Sequence, residues 1–180
     1  MDMYNILDHI EVHETSTHGK SLFAKHAFKK DDIVFVASGK IVNYPTQYTI
    51  PIDQNLFIEP RTPKGNPVQY ICHSCDPNLG IKSSTLFVAM RNIKAGEELF
   101  VHYGFLGYEF GKEMSEDGKE TVKFDLTCHC GASNCVGRFR GHKEFTLEER
   151  TKWKGYISDY LLTKKFERPC TSGSGKTSFV

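Results

Sequence analysis

The sequence predicts a mostly-β protein, a β-rich α+β fold of small sheets, with a tight cysteine loop and a C-terminal helix. Three observations predict it. Short runs of strand formers alternate with turn clusters through about the first hundred residues, three cysteines crowd into Cys128 to Cys135, and a helical apolar pattern follows residue 142.

The strands come first. Ile33 to Ala37 is a brief apolar run rich in strand formers. Tyr48 to Ile52 alternates, with Pro51 marking an edge strand or a strand end. Leu56 to Ile58, Thr85 to Met90 and Leu99 to Val101 continue the pattern. Turn clusters separate them at Lys30-Asp31-Asp32, at Pro63 to Pro67 and at Lys94-Ala95-Gly96.

Charged and small residues then dominate from Glu109 to Lys123, which reads as a solvated linker or insertion between the strand-rich body (10–108) and the cysteine segment (124–141). A helix is expected over 142–166. Thr146-Leu147-Glu148-Glu149 fits a capping box, and Leu147, Trp153, Tyr156, Ile157, Tyr160 and Leu161 fall on one helical face, although Gly155 weakens the pattern. The Ser/Gly/Thr-rich tail (167–180) is expected to be mobile. Its Ser172 to Thr177 resembles the end of a phosphate loop, but Cys170 stands where the earlier glycine is required.

With 180 residues, 39% hydrophobic and a net charge of +1, the chain suits one domain with a small appendage and carries no global field for nucleic acid. It has no run of about 18 apolar residues, so no membrane partner is expected. The stretch Met1 to His13 lacks the basic start and apolar centre of a secretory signal, so an intracellular, reducing location is expected. That makes metal a better default than disulfides for the six cysteines.

Cys128-x-Cys130-x4-Cys135 offers three thiolates in a loop turned by Gly131, and a tetrahedral zinc site needs four ligands. Buried, unliganded cysteines are the plainer reading, but three in eight residues rarely arise from packing alone. The fourth ligand must come from His129 or from Cys72-His73-Ser74-Cys75 upstream. A redox role for that C-x-x-C is disfavoured because Asp76-Pro77-Asn78 turns the chain at once, where redox pairs open a helix.

Several segments, in order, resemble a SET domain followed by its post-SET zinc segment. They are His18 to Ala24, like the family's glycine-rich turn; Gly65 to Asn78, close to its "GNxxRFINHSCDPN"; Val88 to Gly104, close to "xAxRxIxxGEELxxDYG"; and the cysteine run ending at Gly137. The resemblance implies small curled sheets around a pseudoknot threaded near a catalytic tyrosine. It implies S-adenosylmethionine-dependent methylation of lysine in a protein or peptide, a histone among the possible substrates. It also implies Cys75 as the fourth zinc ligand, with Cys72 and His129 as runners-up.

Carried over residue by residue, the resemblance makes Tyr103 the catalytic residue, with Tyr70 beside it. The cofactor would contact His18, Gly19, Lys20, Ser21, Leu22, Cys72, His73 and Tyr103. Tyr70, Val101, Phe105 and Tyr108 would wall the substrate channel. The carbonyls near Ile71 and Phe100 would hold the methyl through CH···O contacts, and Phe124 or Phe139 would cover the adenine. Taken without the motif, Tyr103 is an ordinary strand tyrosine and His73 a structural histidine.

The chain also departs from the family pattern. Cys72 stands where an asparagine normally bonds around the cofactor, and a thiol is a poorer partner. Gln69 replaces an arginine, Ser21 a glycine and His102 an aspartate; the last two are expected to be tolerated. Val101 occupies the position that governs how many methyl groups fit. The central insert, about Asn43 to Lys64, is short for a region that shapes substrate choice, and it leaves small amines as a further substrate class. The Cys72 departure also admits a SET fold that binds a partner without catalysis. The acidic Glu109 to Glu120 stretch reads as a solvated loop, with attraction of a basic peptide as the other possibility.

Overall fold

A computed structural model describes residues 6–46, 48–60, 67–110 and 126–163. The linker residues 111–123, Phe124, Gly65-Asn66 of the long motif and the tail from residue 167 lie outside the described residues.

Among the described residues, ten short strands form three sheets. Strands β1 (Ile10–Thr15) and β2 (Gly19–Ala24) make an antiparallel hairpin. Gly19 closes its turn at φ +75°, a left-handed conformation that costs glycine little. The Thr15 hydroxyl donates to the Gly19 carbonyl at 2.7 Å and pins the turn.

Strands β4 (Lys40–Val42), β5 (Ile50–Asp53) and β6 (Leu56–Glu59) form a second sheet in the order β4-β6-β5. Pro51 lies in β5, an edge strand, where its missing N–H costs no ladder bond.

The third sheet runs β3-β9-β8-β10-β7, from β3 (Ile33–Val36), β7 (Cys72–His73), β8 (Leu79–Lys82), β9 (Leu86–Ala89) and β10 (Phe100–Val101). Strand β10 enters between β7 and β8, parallel to both, so Val101 pairs with His73 on one side and Leu79 on the other. The connection from β7 to β8 therefore bridges over β10. Ser74 N–H donates to the Val101 carbonyl at 3.1 Å, and Asn78 N–H to the Phe100 carbonyl at 3.2 Å. This is the expected pseudoknot.

The single helix expected over 142–166 is corrected. Among the described residues it is two short helices, α1 (Leu147–Lys152) and α2 (Asp159–Thr163), preceded by a 3-10 turn at His142–Glu144. Gly155, at φ +84°, turns the chain between them. The capping box forms as expected, with Glu149 N–H donating to the Thr146 hydroxyl at 3.1 Å and Thr146 N–H to Glu149 at 2.9 Å. Leu147 falls off the predicted apolar face and is 82% exposed, whereas Trp153, Ile157 and Leu161 are buried.

This C-terminal segment docks on the third sheet. Gly80 leaves room for Tyr156: a Cβ on residue 80 would sit 2.5 Å from the Tyr156 Cβ. Ile81 N–H donates to the Tyr156 carbonyl at 3.0 Å, and Ser158 N–H to Phe105 at 3.0 Å. The β8–β9 turn needs two left-handed residues, Ser83 (φ 49°) and Ser84 (φ 58°), and the Ser158 hydroxyl donates to that of Ser84 at 2.8 Å. Leu22, Phe35, Leu79, Phe87, Leu99 and Phe105 fill the core beneath the pseudoknot.

Candidate active site and zinc cluster

Tyr103 follows β10 after the single residue His102, so the threaded strand sets its position. Its hydroxyl donates to the Ile71 carbonyl at 3.1 Å, and its N–H to His73 Nδ1 at 3.1 Å. The ring packs against both His73 (centroids 5.1 Å apart) and Phe139 (5.4 Å), which also touch each other at 4.9 Å. Burial pushes the phenol well above its ordinary pKa, so the hydroxyl stays protonated and donates.

His73 accepts on Nδ1 and lies 3.5 Å from the Cys75 sulfur through Nε2, which assigns its proton to Nε2. Burial, reinforced by Arg140, pushes its pKa down to about 4. Behind it, His102 is nine-tenths enclosed or more, against Phe145 (4.9 Å) and Trp153 (5.1 Å), and its Nδ1 accepts the Gly104 N–H at 3.0 Å. Burial, with His73 and Arg140, holds His102 at about 3. Both rings are neutral at pH 7.

The expected channel residues divide. Tyr70 and Tyr108 are partly buried at the rim of the core. Val101 is fully buried in β10. Phe105 is fully enclosed by His102, Phe145 and Trp153, which makes it packing beneath Tyr103 rather than an open wall. The Ile71 and Phe100 carbonyls, expected at the methyl, accept from the Tyr103 hydroxyl and Asn78 N–H respectively.

The residues expected at the cofactor converge from β2 and β7. The Cys72 sulfur approaches the Lys20 carbonyl at 3.8 Å and the Tyr70 carbonyl at 3.6 Å. Lys20 Nζ stands 5.6 Å over the Tyr70 ring. His18 closes this face with Nε2 2.7 Å from a Glu98 oxygen, while Ser21 and Leu22 are fully buried.

The sequence reading missed Glu98 and Asn78. Asn78 ties the pseudoknot: its side chain donates to the Glu98 carbonyl at 2.7 Å and accepts Phe100 N–H at 2.8 Å. The only sequence signal was its place at the end of the long motif.

On the other side of His73, the thiols of Cys75, Cys128, Cys130 and Cys135 interact with one another. His73, Cys75, Cys128 and Cys130 bring ligand atoms within 4.8 Å of each other. Cys72 lies in a different cluster, and His129 is exposed. All five described cysteines are free thiols.

The donor chemistry fits zinc. Backbone N–H groups point at sulfur, Cys75 N to Cys130 and Gly137 N to Cys135, each at 3.4 Å, as they do around metal-bound thiolates. Burial raises Cys75 to about 11; the Cys130 thiol, despite burial, is held down to about 7 by the Cys75 and Ala132 N–H groups and its thiol neighbours. A cation would drive the thiols of Cys75, Cys128, Cys130 and Cys135 that bind it to thiolate. Asn134 anchors the loop by donating to the Cys75 carbonyl at 3.0 Å.

Comparison with known families places this geometry. The SET domain family matches residues 19–104. These residues form a SET domain. A crystal structure of KRYPTONITE in complex with mCHH DNA, an H3(1-15) peptide and SAH is similar to the chain at TM-score 0.56 and 27% identity, covering 72% of this chain and 29% of that one. A Chaetomium globosum histone-lysine N-methyltransferase, H3 lysine-36 specific, is 30% identical over 165 residues, 79% of this chain and 17% of its own length. A Saccharomyces cerevisiae histone-lysine N-methyltransferase, H3 lysine-4 specific, is 34% identical over 99 residues, 51% of this chain and 8% of its own length. The chain thus spans less than a fifth of the length of these two curated relatives. Among its described residues, no helix is long and apolar enough to cross a membrane.

Proposed function

We propose that this chain transfers a methyl group from S-adenosylmethionine to the side-chain amine of lysine in a basic protein such as a histone. The observation that carries the reading is Tyr103, held in the pseudoknot of a SET domain with its protonated hydroxyl fixed beside the Ile71 carbonyl. Relatives named for histone-lysine methylation support the substrate class.

Methyl transfer to an amine is an in-line displacement that needs a neutral nucleophile, alignment and exclusion of water. A free lysine has a pKa of about 10.4, so roughly one in a thousand is neutral near pH 7. Burial away from water beside Tyr103 and Phe139 would penalise the ammonium, whose proton passes to water before attack. The Tyr103 hydroxyl orients the amine and does not act as a base, because burial keeps it protonated. S-Adenosylmethionine, when bound, supplies a methyl on a sulfonium leaving group. His18, Gly19, Lys20, Ser21, Leu22, Cys72 and His73 would hold it. Zinc on Cys75, Cys128, Cys130 and Cys135 would fasten the C-terminal segment, and with it Phe139, against Tyr103.

Cys72 favours a second reading, a SET fold that binds a peptide without catalysis, because its thiol makes only long contacts where an amide is usual. Calorimetry separates the two. The enzyme reading expects one S-adenosylmethionine bound per chain, and a Tyr103→Phe variant that keeps binding but loses transfer of labelled methyl. No cofactor binding selects the binding module, and transfer to free amines but not to proteins selects a small-amine enzyme.

A further inference from the structure

A second cluster of metal-ligating side chains lies apart from the zinc cysteines. His18 at the β1–β2 turn, Cys72 in β7 and Glu98 before β10 bring a nitrogen, a sulfur and an oxygen within 4.8 Å of one another. The three come from separate segments, and the backbone fixes each. Gly19 and Thr15 lock the hairpin turn, Cys72 pairs with Phe100, and the Glu98 carbonyl takes the Asn78 amide at 2.7 Å.

Two further features point to a ligand here. The Ser21 side chain is fully buried, and, apart from the Cys72 thiol beside it, its hydroxyl has no hydrogen-bond partner among the described residues. The Cys72 sulfur reaches the Lys20 and Tyr70 carbonyls only at 3.8 and 3.6 Å. Ser21 and Cys72 are thus left with weak partners, beside a His18–Glu98 pair joined at 2.7 Å that an entering ion would open to take both ligand atoms.

The geometry points to a site for a zinc-class divalent cation held by His18, Cys72 and Glu98, with a fourth position open. One imidazole, one thiolate and one carboxylate suit a borderline-soft ion, whereas magnesium and calcium require oxygen ligands. Three protein ligands and an open position form the pattern of an exchangeable zinc site rather than a closed structural one. Burial and the Glu98 charge favour the protonated thiol, so binding releases the Cys72 proton to solvent as the metal–sulfur bond forms. Resting on the proposed function, the same face receives the methionine end of the cofactor, so cation and cofactor exclude each other. Zinc-class ions would then inhibit, through the thiol that stands where asparagine is usual.

Co2+ is the probe, titrated without cofactor into the full chain already carrying its zinc. Thiolate-to-cobalt absorption is followed. A second metal equivalent should bind with a thiolate band. Cys72→Asn should remove the band and weaken binding by about tenfold or more, and Glu98→Gln should weaken it similarly, both retaining their zinc. No equivalent beyond the zinc overturns the site. A band that persists in Cys72→Asn also overturns it, because the cobalt would then sit on the other cysteines. Saturating S-adenosylhomocysteine should suppress the second equivalent. If it binds and leaves cobalt affinity unchanged, the competition and this cofactor placement fail while the ion site stands.

Discussion

His142→Gln should flatten the acid sensitivity of folding by an amount the structure sets. His142 is 1% exposed, and its Nε2 lies 2.6 Å from Arg150 Nη1. A guanidinium only donates, so Nε2 accepts and the ring is neutral, with its proton on Nδ1. Burial first, and the Arg150 charge second, push its pKa down from 6.5 to about 4. The unfolded chain protonates this residue as pH falls below about 6.5, while the folded chain resists until near 4. The unfolded state binds more protons in that window, so the stability present above it is lost as pH falls. From pH 7 to pH 5 the loss is about 2 kcal/mol from this residue. Glutamine still offers Arg150 a carbonyl but cannot titrate. Urea denaturation of both proteins at the two pH values, with zinc in excess, gives the double difference. It should be about 2 kcal/mol, because contributions from His102, His73 and the thiols cancel between the proteins. Equal pH differences in the two proteins would refute the buried, neutral assignment.

Three further outcomes are expected. Gly104→Ala places a Cβ 2.5 Å from Phe145 Cζ and 2.7 Å from the Arg140 carbonyl. Neither can retreat easily, so denaturation should show a loss of roughly 1–3 kcal/mol. Cys72→Asn gives the cofactor face a true amide beside the unsatisfied Ser21 hydroxyl, and calorimetry with S-adenosylhomocysteine should show tighter binding by roughly 1 kcal/mol, about fivefold; weaker binding would contradict it. Cys130→Ser removes the thiol whose pKa the Cys75 and Ala132 N–H groups hold down, and metal analysis should find the zinc lost; a metal-free, fully active protein would end the zinc reading.

Local pattern revealed the strands whose residues are apolar throughout, such as β3 and β9. It missed β1, where Glu11, His13 and Glu14 break the run, and β8, where Gly80 is small only to admit Tyr156. The insertion of β10 between β7 and β8 has no local signature, since two-residue parallel strands exist only through tertiary pairing, and it entered through the family resemblance alone. The helix over 142–166 failed because Gly155 supplies a left-handed turn where periodicity alone runs on. Cysteine spacing revealed three of the clustered thiols. Glu98 carried no signal beyond its place in the motif from Val88 to Gly104, because its partner His18 lies 80 residues away.

The most direct measurement is mass spectrometry of a lysine-bearing substrate, beginning with histones, after incubation with the zinc-loaded chain and S-adenosylmethionine. Methylation of a lysine side-chain nitrogen, lost in Tyr103→Phe while cofactor binding and zinc content persist, is the predicted result. Cofactor bound without methylation of histone, peptide library or cell extract, or equal methylation by Tyr103→Phe, would contradict it.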